Sequence, residues 1–197
     1  MTLLPLSDGK LLIKLARHSI ETYFSGKIIN MPEADKFKEK RGVFVTLNET
    51  GKLRGCIGFP EPVYPLNRAI IESSRAAAFK DPRFSQLEKD ELDEINIEIS
   101  VLTKPELIEV ETPEEYLDKI EIGKHGLIIK SMYYSGLLLP QVFIDYDCTP
   151  KKALEMTCQK AGLDEDAWKE PESQIYYFQA QIFEEEEPKG NVIEKKH

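Results

Sequence analysis

The stretch Ile95-Asn96-Ile97-Glu98-Ile99-Ser100-Val101 alternates apolar and polar side chains without a break. Period two is the spacing of a strand with one buried face, because successive side chains leave a pleated backbone on opposite sides. Ile95, Ile97 and Ile99 therefore face a core, and Glu98 points the other way. A second extended run, Arg41-Gly42-Val43-Phe44-Val45-Thr46-Leu47, is rich in β-branched and aromatic residues. Asn48-Glu49-Thr50-Gly51 supplies turn residues, and the extended pattern resumes from Lys52 to Ile57, which predicts a β-hairpin.

Helical periodicity fills the spaces between these strands. Leu12, Leu15, Ala16, Ile20 and Tyr23 recur at three and four, which predicts a helix from about Gly9 to Phe24, with Ser7-Asp8 as its cap and Gly26 as its stop. Leu66 to Phe79 is a helix with a small-residue face, opened by Pro65 and ended by Asp81-Pro82. Thr112-Pro113-Glu114-Glu115 is a capping box for a short helix to about Lys119. Gly123 to Lys130 and Tyr133 to Leu139 read as two strands. Thr149-Pro150 opens a helix closed by Gly162, and Trp168 reads as a cover over the core. Ser173 to Glu184 alternates again and reads as one strand, and 186–197 as a frayed tail.

Strands that arrive as hairpins and singles, with no regular β-α-β rhythm, define an α+β fold: a mainly antiparallel sheet packed with helices. Pro105, Pro113, Pro140 and Pro150 punctuate a region whose first part, 105–139, is the expected smaller lobe. Residues 1–104 and 140–185 then make the main domain.

The chain has 197 residues, with 26 Lys and Arg against 35 Asp and Glu, a net charge of −9. An acidic chain disfavours nucleic-acid binding, which needs clustered cations for phosphate. No apolar run reaches the roughly 18–20 residues of a membrane span. The first ten residues lack a basic-then-apolar leader profile, so a cytoplasmic location is expected. Three cysteines without a C-x-x-C pair and three scattered histidines indicate neither a disulfide framework nor a zinc centre. Nucleotide-binding glycine motifs and iron–sulfur cysteine clusters are absent, so the sequence names no cofactor.

Chemistry concentrates in Leu53-Arg54-Gly55-Cys56-Ile57-Gly58. Glycine weakens a strand interior, so Gly55 and Gly58 indicate a bulge, a bend or a close backbone approach. Alternation puts Arg54 and Cys56 on one face. A guanidinium beside a thiol lowers its pKa and prepares a nucleophile. The residues by themselves favour a small packed thiol and an arginine paired with a carboxylate such as Glu98, since buried thiols are common and mostly inert. His125, between Gly123 and Gly126, is a candidate base for the thiol or a turn residue bonded to backbone. Arg83 suits either an anionic ligand or the bracing of a loop. Cys56, Arg54, Glu98 and His125 are thus the candidate catalytic residues, and Gly55, Gly58 and Arg83 the candidate binding positions.

The hexapeptide resembles the signature of the AMMECR family, named for the Alport syndrome, mental retardation, midface hypoplasia and elliptocytosis chromosomal region protein. Gly42 to Leu47 (GVFVTL), Asp81 to Phe84 (DPRF), Ile99 to Leu102 (ISVL), His125 to Ile128 (HGLI), Leu138 to Val142 (LLPQV) and Lys160 to Leu163 (KAGL) resemble its other blocks, in order. The resemblance spans roughly Gly9 to Glu185. Cys148-Thr149 stands where it would put a tryptophan-aspartate pair, so no family role passes to Cys148. It implies a larger and a smaller domain meeting at a cleft near the hexapeptide, and an association with Memo-type and radical-SAM proteins. It implies no agreed reaction. Two functions stay open: an enzyme or enzyme component built on Arg54 and Cys56, and a non-catalytic binding or scaffold protein whose hexapeptide shapes a docking cleft.

Overall fold

The computed structural model describes residues 3–195. In chain order the elements are α1 (Leu6–Ser25), β1 (Val43–Glu49), β2 (Lys52–Phe59), α2 (Leu66–Phe79), β3 (Ile95–Leu102), β4 (Glu106–Leu107), α3 (Tyr116–Lys119), β5 (Gly126–Ser131), β6 (Tyr134–Leu138), α4 (Pro140–Asp145), α5 (Pro150–Lys160), β7 (Ser173–Phe178), β8 (Ala180–Glu185) and β9 (Val192–Lys195). They form a five-stranded sheet, β2-β1-β3-β8-β9, and a four-stranded sheet, β4-β7-β5-β6. The fold is α+β with antiparallel sheets.

The chain divides into two compact units, 1–102 with 181–196, and 103–180. This corrects the expected lobe of 105–139. β5 pairs along its length with β7, and α5 packs on β5 and β6, so residues 140–180 join the lobe instead of leaving it. The predicted strand over 173–184 is two strands that break at Gln179 and belong to different sheets. Alternation continues across the break, which is why the sequence pattern hides it. The expected frayed tail contains β9, which pairs with β8 from Glu185↔Val192 to Ile182↔Lys195; Lys196 and His197 lie outside the described residues.

In the first unit the hairpin of β1 and β2 forms as the turn residues require, and β3 pairs with β1 on its other side. Val43, Val45, Leu47, Ile95, Ile97, Ile99 and Val101 line one face of this sheet and are fully or almost fully buried. They share a core with Leu12, Leu15, Ala16 and Ile20 of α1 and Ala69, Ile70 and Ala77 of α2. Each fully buried Val, Leu or Ile contributes about 1.5–3 kcal/mol. α1 starts at Leu6 after Pro5, so Ser7 and Asp8 lie in its first turn and not at its cap.

The same core holds one ion pair. Arg17 of α1 donates Nε and Nη2 to the Glu185 carboxylate, Nη1 to the Leu92 carbonyl and Nη2 to the Ile95 carbonyl. The Ile97 N–H donates to Glu185 Oε2 at 2.9 Å, so one carboxylate joins α1, β3 and β8. Both side chains are at most a tenth exposed.

The second unit is built round β5, whose Leu127 and Ile129 are buried with Phe143 of α4, Leu154 and Cys158 of α5, Trp168 and Ile175. The helix at Pro140–Asp145 has no counterpart in the sequence pattern, because six residues are too few for a periodic signal.

Removing the Glu185 carboxylate strands the Arg17 charge in the core. Glu185→Ala is expected to cost about 3–5 kcal/mol in urea unfolding, and Glu185→Gln, which keeps the acceptor and the shape, clearly less. A loss below about 1 kcal/mol for the alanine variant, the range of an exposed pair, would remove this pair from the account of the core.

Candidate functional site

β2 is an edge strand, and the outward backbone groups of an edge need partners. At Cys56 the loop after α2 supplies both. The Cys56 N–H donates to Asp81 Oδ2 at 2.9 Å, and Arg83 Nη2 donates to the Cys56 carbonyl at 3.2 Å. Arg83 also grips the same carboxylate, Nε to Oδ1 at 3.0 Å and Nη2 to Oδ2 at 2.8 Å. The Asp81 side chain is 1% exposed. Arg83 beside it holds the Asp81 carboxyl well below the usual carboxylate range. Arg83 therefore braces a loop, the second of the two roles the sequence allowed it.

The two glycines have steric reasons. A Cβ on Gly55 would lie 2.2 Å from the Ala77 carbonyl oxygen of α2, and one on Gly58 would lie 2.3 Å from that of Val43. Gly55 thus lets the last turn of α2 sit directly on the strand.

Arg54 departs from the expected alternation. Leu47 opposes Gly55 while Asn48 opposes Leu53, so Arg54 has no opposite residue and forms a bulge. A bulge re-aims its side chain. The guanidinium meets Glu91 in a two-pronged pair, Nε to Oε1 at 2.7 Å and Nη2 to Oε2 at 3.1 Å, and donates Nη1 to the Ser85 carbonyl at 2.9 Å. The expected Arg54–Glu98 pair is not formed, because β1 lies between the strands that carry them. Leu53 is exposed.

The cation that acts on the Cys56 thiol is Arg83. Burial pushes the thiol up, while a hydrogen bond from Thr46 and the Arg83 charge pull it down; the net shift is upward. Thr46 Oγ1 donates to Cys56 Sγ at 3.3 Å. Thr46 stands opposite Cys56 on β2 and opposite Glu98 on β3. A row of Cys56, Thr46 and Glu98 thus crosses three strands, on the face opposite Val45, Leu47, Ile97 and Ile99.

Glu98 ends in a small charge cluster. Lys195 Nζ lies 3.6 Å from Glu98 Oε2 and 3.1 Å from Glu184 Oε2. Burial raises the Glu98 pKa, with Lys195 opposing and Glu184 adding to the rise. Thr46, Asp81, Glu91 and Lys195 escaped the sequence reading. Asp81 carried the best signal, an acid just past a helix end and two residues before an arginine, yet it reads equally well as a helix stop.

His125 belongs to the second unit. Its Nδ1 accepts from the Glu121 N–H at 3.2 Å, and its ring tilts against Tyr177 at 4.6 Å between centroids. Burial lowers its pKa. Its Nδ1 is thus bonded to the backbone of its own turn. Cys148 and Cys158 are buried, Cys148 against the Met156 sulfur and Cys158 pushed up to about 11 by burial. Among the described residues no three His, Cys, Asp or Glu side chains converge as a metal site needs, and no helix is long and apolar enough to cross a membrane.

The coupling of the hexapeptide to Asp81-Pro82-Arg83-Phe84 can be set beside known proteins. A family model for AMMECR1 matches residues 13–183, which include both segments. The chain belongs to the AMMECR1 family. Protein MJ0810 of Methanocaldococcus jannaschii is 50% identical over all of this chain and 99% of its own length. Protein TK0174 of Thermococcus kodakarensis is 47% identical over 95% of each. The crystal structure of the uncharacterized protein PH0010 from Pyrococcus horikoshii superposes with a TM-score of 0.87 at 46% identity, covering 96% of this chain and 97% of that one. In this AMMECR1 chain the two segments form one unit, because the second supplies the partners that the edge strand of the first lacks.

Asp81 should show in acid. Its folded pKa is depressed, so its stabilisation is present above the unfolded value near 4 and is lost as pH falls toward the folded one. Asp81→Asn is expected to be less stable at neutral pH and to lose less on acidification, read from urea midpoints across that range. Parallel acid limbs for the two proteins would remove Asp81 from the account.

Proposed function

We propose that this AMMECR1 protein is a binding module, and that the hexapeptide builds its docking surface instead of a thiolate active site. The observation that carries this reading is the commitment of Arg54 to Glu91, which leaves Cys56 a neutral, half-buried thiol at rest. The residues on either side have structural duties: Gly55 under α2, Arg54 in the bulge, and Asp81 with Arg83 on the strand edge. The surface left for a partner is the row of Cys56, Thr46 and Glu98, where a weak thiol donor, a hydroxyl and a carboxyl of raised pKa stand side by side. A cleft at this row, with Gly58 at its margin, is part of the proposal. The family resemblance supplies the partners we propose for it, Memo-type and radical-SAM proteins in the cytoplasm.

The second reading, a thiol-dependent enzyme, draws on the Arg83 charge acting on Cys56. Iodoacetamide alkylation, resolved by cysteine and followed against pH in the native protein, separates the two. Cys56 is expected to react slowly at neutral pH, with an apparent pKa above the ordinary thiol value of about 8.5, and Cys56→Ser is expected to keep its binding to a purified Memo-type protein. Fast alkylation with an apparent pKa below about 8.5, slowed by Arg83→Gln, would overturn the binding reading in favour of the enzyme.

A further inference from the structure

The row of Cys56, Thr46 and Glu98 does not end at β3. β8 is the next strand of the sheet and β9 the last. Lys195 of β9 puts its ammonium 3.6 Å from Glu98 Oε2 and 3.1 Å from Glu184 Oε2 of β8. Two carboxyl groups from neighbouring strands thus share one ammonium. Their side chains are only 18% and 20% exposed, whereas that of Lys195 is 48% exposed. Burial raises the Glu98 pKa, Lys195 offsets part of the rise and Glu184 adds to it. Like charges held side by side in a partly desolvated place are costly unless each has a cation.

The two guanidinium groups at the hexapeptide are already committed. Arg54 grips Glu91 and Arg83 grips Asp81, each in a two-pronged contact that is neutral as a unit. The charge of the row is therefore Lys195 against Glu98 and Glu184, one negative charge in excess, in a chain whose net charge is −9. Thr46 adds an acceptor. It stands opposite Glu98 and gives its hydroxyl hydrogen to Cys56 Sγ, which leaves the lone pairs of its oxygen to accept.

We propose that the partner docked on this row supplies an arginine side chain, whose guanidinium takes the place of the Lys195 ammonium and donates to the carboxylates of Glu98 and Glu184. The inference rests on the docking reading of the same row and gives the partner its chemistry. The structure shows the class of group that the carboxyl pair takes, since a nitrogen cation already sits there. An ammonium is a compact point charge, whereas a guanidinium carries five N–H donors in a flat fork matched to carboxylates. Lys195 is the displaceable member, because it lies on the last strand and half of its side chain faces solvent. An acidic side chain in its place would add a third negative charge, and complementary charge is what selects partners across an interface.

The probe is Nα-acetylarginine methylamide, with the neutral isostere Nα-acetylcitrulline methylamide as control. Both are added at millimolar concentration to the full chain, with its glutamates carbon-13 labelled at the side-chain carboxyl. Glu98→Gln and Glu184→Gln assign the two resonances by removing them. The expected result is a saturable shift of both with the arginine probe and none with citrulline. Either Glu→Gln variant is expected to weaken arginine binding about 10-fold or more, the worth of one hydrogen bond to a charged group. Lys195→Met, which removes the competing ammonium, is expected to tighten it about 2- to 5-fold, the worth of an exposed ion pair. Unmoved resonances would overturn the inference, as would an equal shift with citrulline, unchanged affinity in both Glu→Gln variants, or an affinity that Lys195→Met does not raise. Slow alkylation of Cys56 in that event leaves the docking reading standing. Fast alkylation with a low apparent pKa removes the docking reading whatever the probe does.

Discussion

One carboxylate partners the edge strand of the first sheet at Cys56. An edge strand presents backbone groups that must find partners in water, in another chain or in the protein itself. At Cys56 the protein provides them, through Asp81 for the N–H and through Arg83, itself held by Asp81, for the carbonyl. The hexapeptide, the end of α2 and the loop after it therefore form one mechanical unit. Gly55 allows the close approach, the bulge at Arg54 sends its guanidinium to Glu91, and Asp81 clamps Cys56.

That clamp sets the chemistry of Cys56. A guanidinium free to stand beside the thiol would favour the thiolate. Arg54 is spent elsewhere, Arg83 is divided between a carboxylate and a carbonyl, and burial dominates the thiol's environment. The resulting group donates a hydrogen bond more readily than it attacks a substrate, which suits recognition. Glu98 follows the same logic. With burial and Glu184 working against its charge and Lys195 opposing them, its carboxyl is held for the proton-bearing form more than an exposed glutamate would be.

Charge elsewhere is handled by complete satisfaction or by exposure. Arg17 and Glu185 sit inside the core, and their burial is tolerable because the backbone of β3 and the residues just before it fill the hydrogen-bonding positions that the pair leaves open. Among the described residues, the hydroxyls of Ser73 and Ser173, the Trp168 indole N–H and the Gln141 amide oxygen are buried without a hydrogen-bond partner.

The strand at Ile95, the hairpin before it, the helix over Leu66 to Phe79 and the α+β class were legible in the sequence because periodicity and turn chemistry are local properties of a chain. Family membership was legible for the same reason, since short blocks in a constant order survive as text. Partners distant in sequence were not. Arg54 reads as a neighbour of Cys56 until a bulge turns it to Glu91, and β7 and β8 read as one strand until Gln179 divides them between two sheets. Glu185 reads as the last residue before an acidic tail until it meets Arg17, 168 residues away. Side-chain type and spacing determine which face of an element is apolar. Which carboxylate meets which cation, and which buried donor is left unmet, is decided only when the elements pack, because those pairings depend on register, bulges and closure across the fold.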